Sequence, residues 1–250
     1  MKLNVGEFKS LLKKATLNFS FESVQLNFTK KSVKSGMISN TQTSVAIINQ
    51  NVNNVLPEMK DGQDFSFNFQ DPNTKLLPFL ALVDDDQPAE IDVSSEKIVV
   101  VCGKMRMDMH FCGTEIVRVF NRESPRANIQ YYYNRQLDDD FMMDFSKIKK
   151  IGPIFGKVYF SVKKNTIYME ASEKTNLYSN RLSFELDKVK VEDHSLYFEY
   201  KDIINAFSVI GDDYAQFKLN ISYIKEQDMG LIYLEKSDSS EKYFVMSRLE

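Results

Sequence analysis

The strongest constraint on the fold is an order of elements that runs through the sequence twice. In EFKSLLKKATL, Phe8, Leu11, Leu12 and Ala15 fall at i, i+3, i+4 and i+7, one face of an amphipathic helix. Glu7, Lys9, Ser10, Lys13 and Lys14 take the other face. Alternating segments follow at 21–28, 32–39 and 44–50, then DFSFNFQ at 64–70, whose Phe65, Phe67 and Phe69 share one side of a strand. Asp71-Pro72 reads as a helix start, with Asp as N-cap and Pro in the first turn, for a helix reaching about Val83. Pro78 lies inside that helix, so a late start or an irregular first turn is expected. Strands are predicted at 89–94, 97–102 and 105–111.

From residue 138 the order returns. DDDFMMDFSKIKK (138–150) sets Phe141, Phe145 and Ile148 on one helical face and Lys147 and Lys150 on the other. Strands at 157–162, 166–171, 179–186 and 195–200 lead to a second helix at 201–213, and strands at 217–224, 230–236 and 242–248 follow. Phe79 and Phe207 are 128 residues apart, as are Asp84-Asp85 and Asp212-Asp213; Phe8 and Phe141 are 133 apart. This is the signature of a duplicated domain. It predicts an α+β chain of two similar domains, each with two helices packed on β-sheets: 1–112, a connector at 113–127, and 128–250. The connector, GTEIVRVFNRESPRA, is not glycine-rich and reads as an extended strap lying on the surface.

The composition supports packed cores, with 43% hydrophobic and 12% aromatic residues. The net charge of −3 means that any grip on nucleic acid must come from local segregation of basic residues. The run LLPFLALVDDD (76–86) raises the question of a carboxylate metal site, the reading of a metal-dependent nuclease or phosphatase. A catalytic site is normally built once, whereas here acid pairs follow the second helix of both halves. That favours solvated turns, for which Asp is suited. Asp138-Asp139-Asp140 sits instead at a helix N-terminus, where capping and the helix dipole favour acid. His110 and His194 lack metal-ligand spacing, Cys112 has no nearby base, and no phosphate loop, GxGxxG or GxSxG occurs. A non-enzyme is expected, with no catalytic residue, metal or cofactor. Cys102 and Cys112 read as reduced thiols, and no apolar run approaches 18 residues, so a soluble intracellular chain without a membrane partner is expected.

Several stretches carry a family likeness: MKLNVGEFKSLLKKATLN at the start, FLALVDDDQPAEIDVSSEKIVV (79–100), ISYIKEQDMG (221–230) and KYFVMSR (242–248). In order, spacing and duplication the sequence resembles the ring-shaped DNA sliding clamps, the polymerase processivity factors. The middle stretch is most similar to clamps of large DNA phages, the last two to the cellular type, proliferating-cell nuclear antigen. The resemblance implies the DNA-clamp fold closed into a homotrimeric ring, with helices lining a central hole and sheets forming the outer wall. The implied partners are double-stranded DNA held without regard to sequence, a replicative DNA polymerase and a clamp loader. If the origin is a phage, the implied location is the cytoplasm of an infected bacterial host. DNA-facing positions implied are Lys9, Lys13, Lys14, Lys147, Lys149 and Lys150, with Lys75 and Lys201 the only bases of the second helices. The implied subunit edges are MRMDMHF, with Met105, Met107, Met109 and Phe111, and LYSNRLSFEL, with Tyr178, Leu182 and Phe184. A partner-peptide pocket is implied at Met37, Thr43, Ile116, Val117, Phe120, Val245 and Met246. A monomeric viral processivity factor, binding DNA on an open basic face, remains an alternative. So does an all-β binding protein whose helix spacing matches the family by chance.

Overall fold

In the computed structural model, residues 1–59, 64–125, 129–172 and 180–248 are described, and the chain divides into two units, Met1–Glu123 and Ser124–Glu250. The first opens with a two-residue strand, β1 (Lys2–Leu3), and then α1 (Val5–Ala15). Asn4 caps α1: its side-chain oxygen accepts from the Glu7 N–H at 3.2 Å. The helix buries Val5, Phe8, Leu11, Leu12 and Ala15, and Phe8 meets Phe67 edge-on at 6.5 Å. Next come β2 (Ser23–Phe28), β3 (Ser32–Ile38), β4 (Ser44–Asn51), a single turn α2 (Val52–Val55) and β5 (Phe65–Gln70). After α3 (Leu77–Leu80) the unit closes with β6 (Ala89–Val93), β7 (Lys97–Cys102) and β8 (Met105–His110). Its strands pair antiparallel in the orders β1-β6-β7-β8 and β5-β2-β3-β4.

The second unit runs β9 (Tyr133–Gln136), α4 (Asp139–Phe155), β10 (Lys157–Lys163), β11 (Thr166–Ser172), β12 (Arg181–Lys188) and β13 (His194–Glu199). It continues with α5 (Tyr200–Ile210), β14 (Phe217–Ile224), β15 (Met229–Lys236) and β16 (Glu241–Met246). Its orders are β9-β14-β15-β16 and β13-β10-β11-β12. Strand for strand, these repeat the first unit. The α4–α5 contact is aromatic: Phe207 lies 4.2 Å from Phe145 and 5.7 Å from Phe141, ring to ring.

The helices depart from expectation where proline intervenes. The helix expected from Asp71 to Val83 is a π turn over Pro72–Leu76 followed by the four residues of α3. Pro78 has no N–H to return to Thr74, and the Leu77 N–H reaches back five residues to the Pro72 carbonyl. Asp71 has φ +51° and makes no side-chain cap, contrary to the N-cap expected of it. In α4, Asp138 does cap, accepting from the Phe141 N–H at 2.8 Å. That helix outruns its expected end at 150 and stops at Gly156, whose φ of +70° suits glycine. Pro153 inside α4 removes the partner of the Lys149 carbonyl, and the Tyr200 hydroxyl supplies one at 2.6 Å. Gly152 makes room for this, since a Cβ there would lie 2.0 Å from the Tyr200 ring.

Candidate nucleic-acid interface

The basic residues expected to face DNA fall into different environments. On α1, Lys9 is not a free cation: its ammonium donates to the Val83 carbonyl at 2.6 Å and to Asp85 at 2.7 Å, and the side chain is 21% exposed. The aspartate run at 84–86 is thereby accounted for in part. Asp85 ties the turn after α3 to α1, and Asp84 accepts through its carbonyl from the Gln87 N–H at 3.0 Å. Lys13 and Lys14 are half-buried on the same helix. Lys75 pairs with Asp71 at 3.3 Å on the irregular turn.

On α4, Lys149 and Lys150 are exposed. Lys147 is exposed too, but pairs with Asp144 at 2.9 Å and lies 5.2 Å above the Phe184 ring. Lys201 is exposed at the start of α5. Asn205, read from the sequence as part of an outward face, is buried. Two acids at the start of α4 are engaged as well. Both Asp138 oxygens receive Arg135, at 2.8 and 2.7 Å, while Asp139 accepts from the Tyr214 hydroxyl. Among the described residues no three His, Cys, Asp or Glu side chains converge as metal ligands would. Cys102 and Cys112 are free thiols, and no helix there is long and apolar enough to cross a membrane.

The residues expected to form a peptide pocket are only partly at the surface. Met37 and Val245 are fully buried strand residues and Val117 is 7% exposed, so these three offer a ligand almost no surface. Thr43, Phe120 and Met246 are half-buried and Ile116 is exposed. The segment carrying Ile116 makes one turn at Thr114–Ile116 and then runs along β3: the Ile38 N–H donates to the Arg118 carbonyl, and the Phe120 N–H to the Gly36 carbonyl at 2.7 Å. β2 pairs with β3 only through Asn27 and Phe28, which leaves that length of β3 to the segment. Gly36 is required here, because a Cβ would stand 2.2 Å from the Phe120 carbonyl oxygen.

Both strands expected at subunit edges do end their sheets: among the described residues β8 pairs with β7 alone and β12 with β11 alone. Met107 and Met109 are turned inward and buried, Met105 is half-buried, and Phe111 stacks on Phe67 at 5.5 Å; these four side chains belong mainly to the first unit's own packing. Leu182 and Phe184 are half-buried. Tyr178 lies outside the described residues.

No protein-family model matches the sequence, and no curated protein does. Solved structures do match the fold. A structure of the C-terminal region of FEN-1 bound to A. fulgidus PCNA aligns with a TM-score of 0.68 at 13% identity, over 100% of this chain and 98% of that one. Proliferating cellular nuclear antigen from Entamoeba histolytica gives 0.67 at 12%, over 99% and 98%. The DNA polymerase sliding clamp from Bacillus subtilis gives 0.67 at 9%, over 100% of this chain and 64% of that one.

Proposed function

We propose that this chain, which has the fold of the DNA sliding clamps, acts as one: a ring of three copies that surrounds duplex DNA and tethers a polymerase to it. The observation that carries the reading is that fold, matched over the whole chain. The charge distribution agrees with it. A chain of net charge −3 exposes Lys149, Lys150 and Lys201 on the helices of its second unit, where contacts to phosphate act without regard to base sequence. Lys13 and Lys14 are the basic contribution of α1. Lys9 is assigned instead to holding the Asp85 turn. The protein is a scaffold rather than a catalyst, and its carboxylates serve caps, turns and ion pairs.

The partners that follow are a replicative polymerase and a clamp loader. The half-buried Phe120 and Thr43, with exposed Ile116, all in the first unit, are the residues we assign to a partner's apolar peptide. The likeness of 79–100 to phage clamps directs the search for these partners to an infected bacterial cytoplasm. The test is topological. The protein is incubated at high concentration with nicked circular duplex and, separately, with the same duplex linearised, then passed over a sizing column in raised salt. Retention on the circle with loss from the linear form is expected. Equal loss from both contradicts encirclement and favours binding on an open face.

A further inference from the structure

We infer that Tyr200 is the positioning residue of the second unit's phosphate-contacting face. Through the Lys149 carbonyl it holds the proline-broken end of α4, with Lys149 and Lys150, in a fixed place relative to Lys201. The inference rests on the DNA reading above and names what keeps that face in shape.

The weakness lies in α4. A helical carbonyl accepts from the N–H four residues on, and for Lys149 that residue is Pro153, which has none. The proline ring also crowds the same carbonyl, so the helix is weakest in the turn that carries Lys149 and Lys150, both exposed. Yet α4 runs on to Phe155 and closes at Gly156, whose N–H donates to the Gly152 carbonyl at 2.7 Å.

Tyr200 repairs the break from outside the helix, at two points. Its hydroxyl donates to the Lys149 carbonyl at 2.6 Å, and its N–H donates to the Gly156 carbonyl at 3.0 Å. One residue therefore ties down both the start and the end of the stretch that Pro153 weakens. The ring reaches Lys149 because residue 152 is glycine. Tyr200 is also the first residue of α5, and the next is Lys201, exposed. The residue that holds the cations of α4 is thus joined directly to the cation of α5.

The first unit shows the alternative. There α1 is tied to the turn after α3 by Lys9 on the Val83 carbonyl, and Asp85 then neutralises that ammonium. The tie in the second unit is a neutral phenol, so it leaves Lys149, Lys150 and Lys201 for phosphate. Contacts of that kind need charge at a set spacing and no base recognition. Spacing is what a frayed helix end loses.

The test removes the hydroxyl and keeps the ring. Tyr200→Phe is made in the parent, in Pro153→Ala and in Lys149→Ala/Lys150→Ala. Two quantities are read: amide exchange across 149–156 by mass spectrometry, and affinity for a labelled linear duplex against salt by fluorescence anisotropy. In the parent, Tyr200→Phe is expected to speed exchange by about 2- to 10-fold, the factor that one hydrogen bond contributes. It is also expected to weaken duplex binding several-fold and to lower the salt slope by up to about 1.8, the share of two phosphate contacts. Pro153→Ala supplies the missing N–H, so adding Tyr200→Phe there should change neither quantity. Without the two lysines, Tyr200→Phe should still speed exchange and leave affinity alone, a split that a purely structural role would not give. Parent-like binding by Tyr200→Phe, where Lys149→Ala/Lys150→Ala weakens it, overturns the role of Tyr200 and leaves the DNA reading standing. Equal losses of affinity with and without the lysines mean general damage, and overturn the role as well. Unchanged duplex binding by Lys149→Ala/Lys150→Ala overturns the DNA face itself, and Tyr200 with it.

Discussion

Phe79 and Phe207 occupy equivalent places in the repeat, and the structure predicts opposite consequences for removing them. Phe207 is 2% exposed and packed against Phe145 and Phe141, so Phe207→Ala leaves a cavity at the α4–α5 contact. Such a deletion costs about 3–5 kcal/mol, a large share of a domain stability of roughly 5–15 kcal/mol. Phe79 is 50% exposed in the single chain. Full burial of such a side chain contributes about 1.5–3 kcal/mol, so half of it contributes roughly 1 kcal/mol, with little cavity cost. Urea unfolding followed by circular dichroism, below the concentration for assembly, is expected to show a large fall in midpoint for Phe207→Ala and a small one for Phe79→Ala. Equal destabilisation by the two changes, or a Phe207→Ala cost under about 1 kcal/mol, would refute the difference in burial on which the reasoning depends.

Replacing Lys149 and Lys150 together by alanine should lower the slope of log affinity for duplex against log salt by about 1.8, near 0.9 for each phosphate no longer neutralised, while Lys9→Ala should leave the slope almost unchanged. A larger effect from Lys9 would return it to the DNA face. Glu170 is buried; burial pushes its carboxyl up, but Lys163 at 2.8 Å and Arg181 outweigh this and hold it below its ordinary 4.5. Its stabilisation is therefore complete above that value and lost as pH falls through the lower folded one. Glu170→Gln should flatten the acid limb of stability measured by urea unfolding between neutral and acid pH, and an unchanged limb contradicts this. His194 stacks on Tyr223 at 4.2 Å, its Nε2 lies 3.0 Å from the Tyr132 hydroxyl, and burial pulls its pKa below 6.5. Acidification through 6.5 then costs stability, because the unfolded chain takes up the proton first; a His194 ring that titrates above 6.5 by NMR contradicts this.

The architecture was legible where hydrophobic period was long enough to read. α1, α4, α5 and the strands of five or more residues follow from spacing, and the repeat placed them in order, whereas the four-residue β9 was not read from the sequence. β1, with two residues, and the single turn α2 were too short to carry a period. Pro78 warned of an irregular helix without saying that it would shrink to four residues. The candidate sites were harder to read, because a lysine's spacing tells which face it occupies and not what it touches. Lys9 shares its face with Lys13, yet Asp85, 76 residues away, engages it. Met37 and Val245 suit a peptide pocket by residue type, and strand burial withdraws them from the surface. The signal that could have singled out Phe79 was its place in a pattern broken by two prolines, Pro72 and Pro78, where a full helix could not form to bury it.

The most direct test of the ring is the absolute mass in solution, by light scattering across a dilution series at moderate salt. A plateau at three times the chain mass of 29.0 kDa is predicted. A mass of 29.0 kDa at every concentration would contradict it.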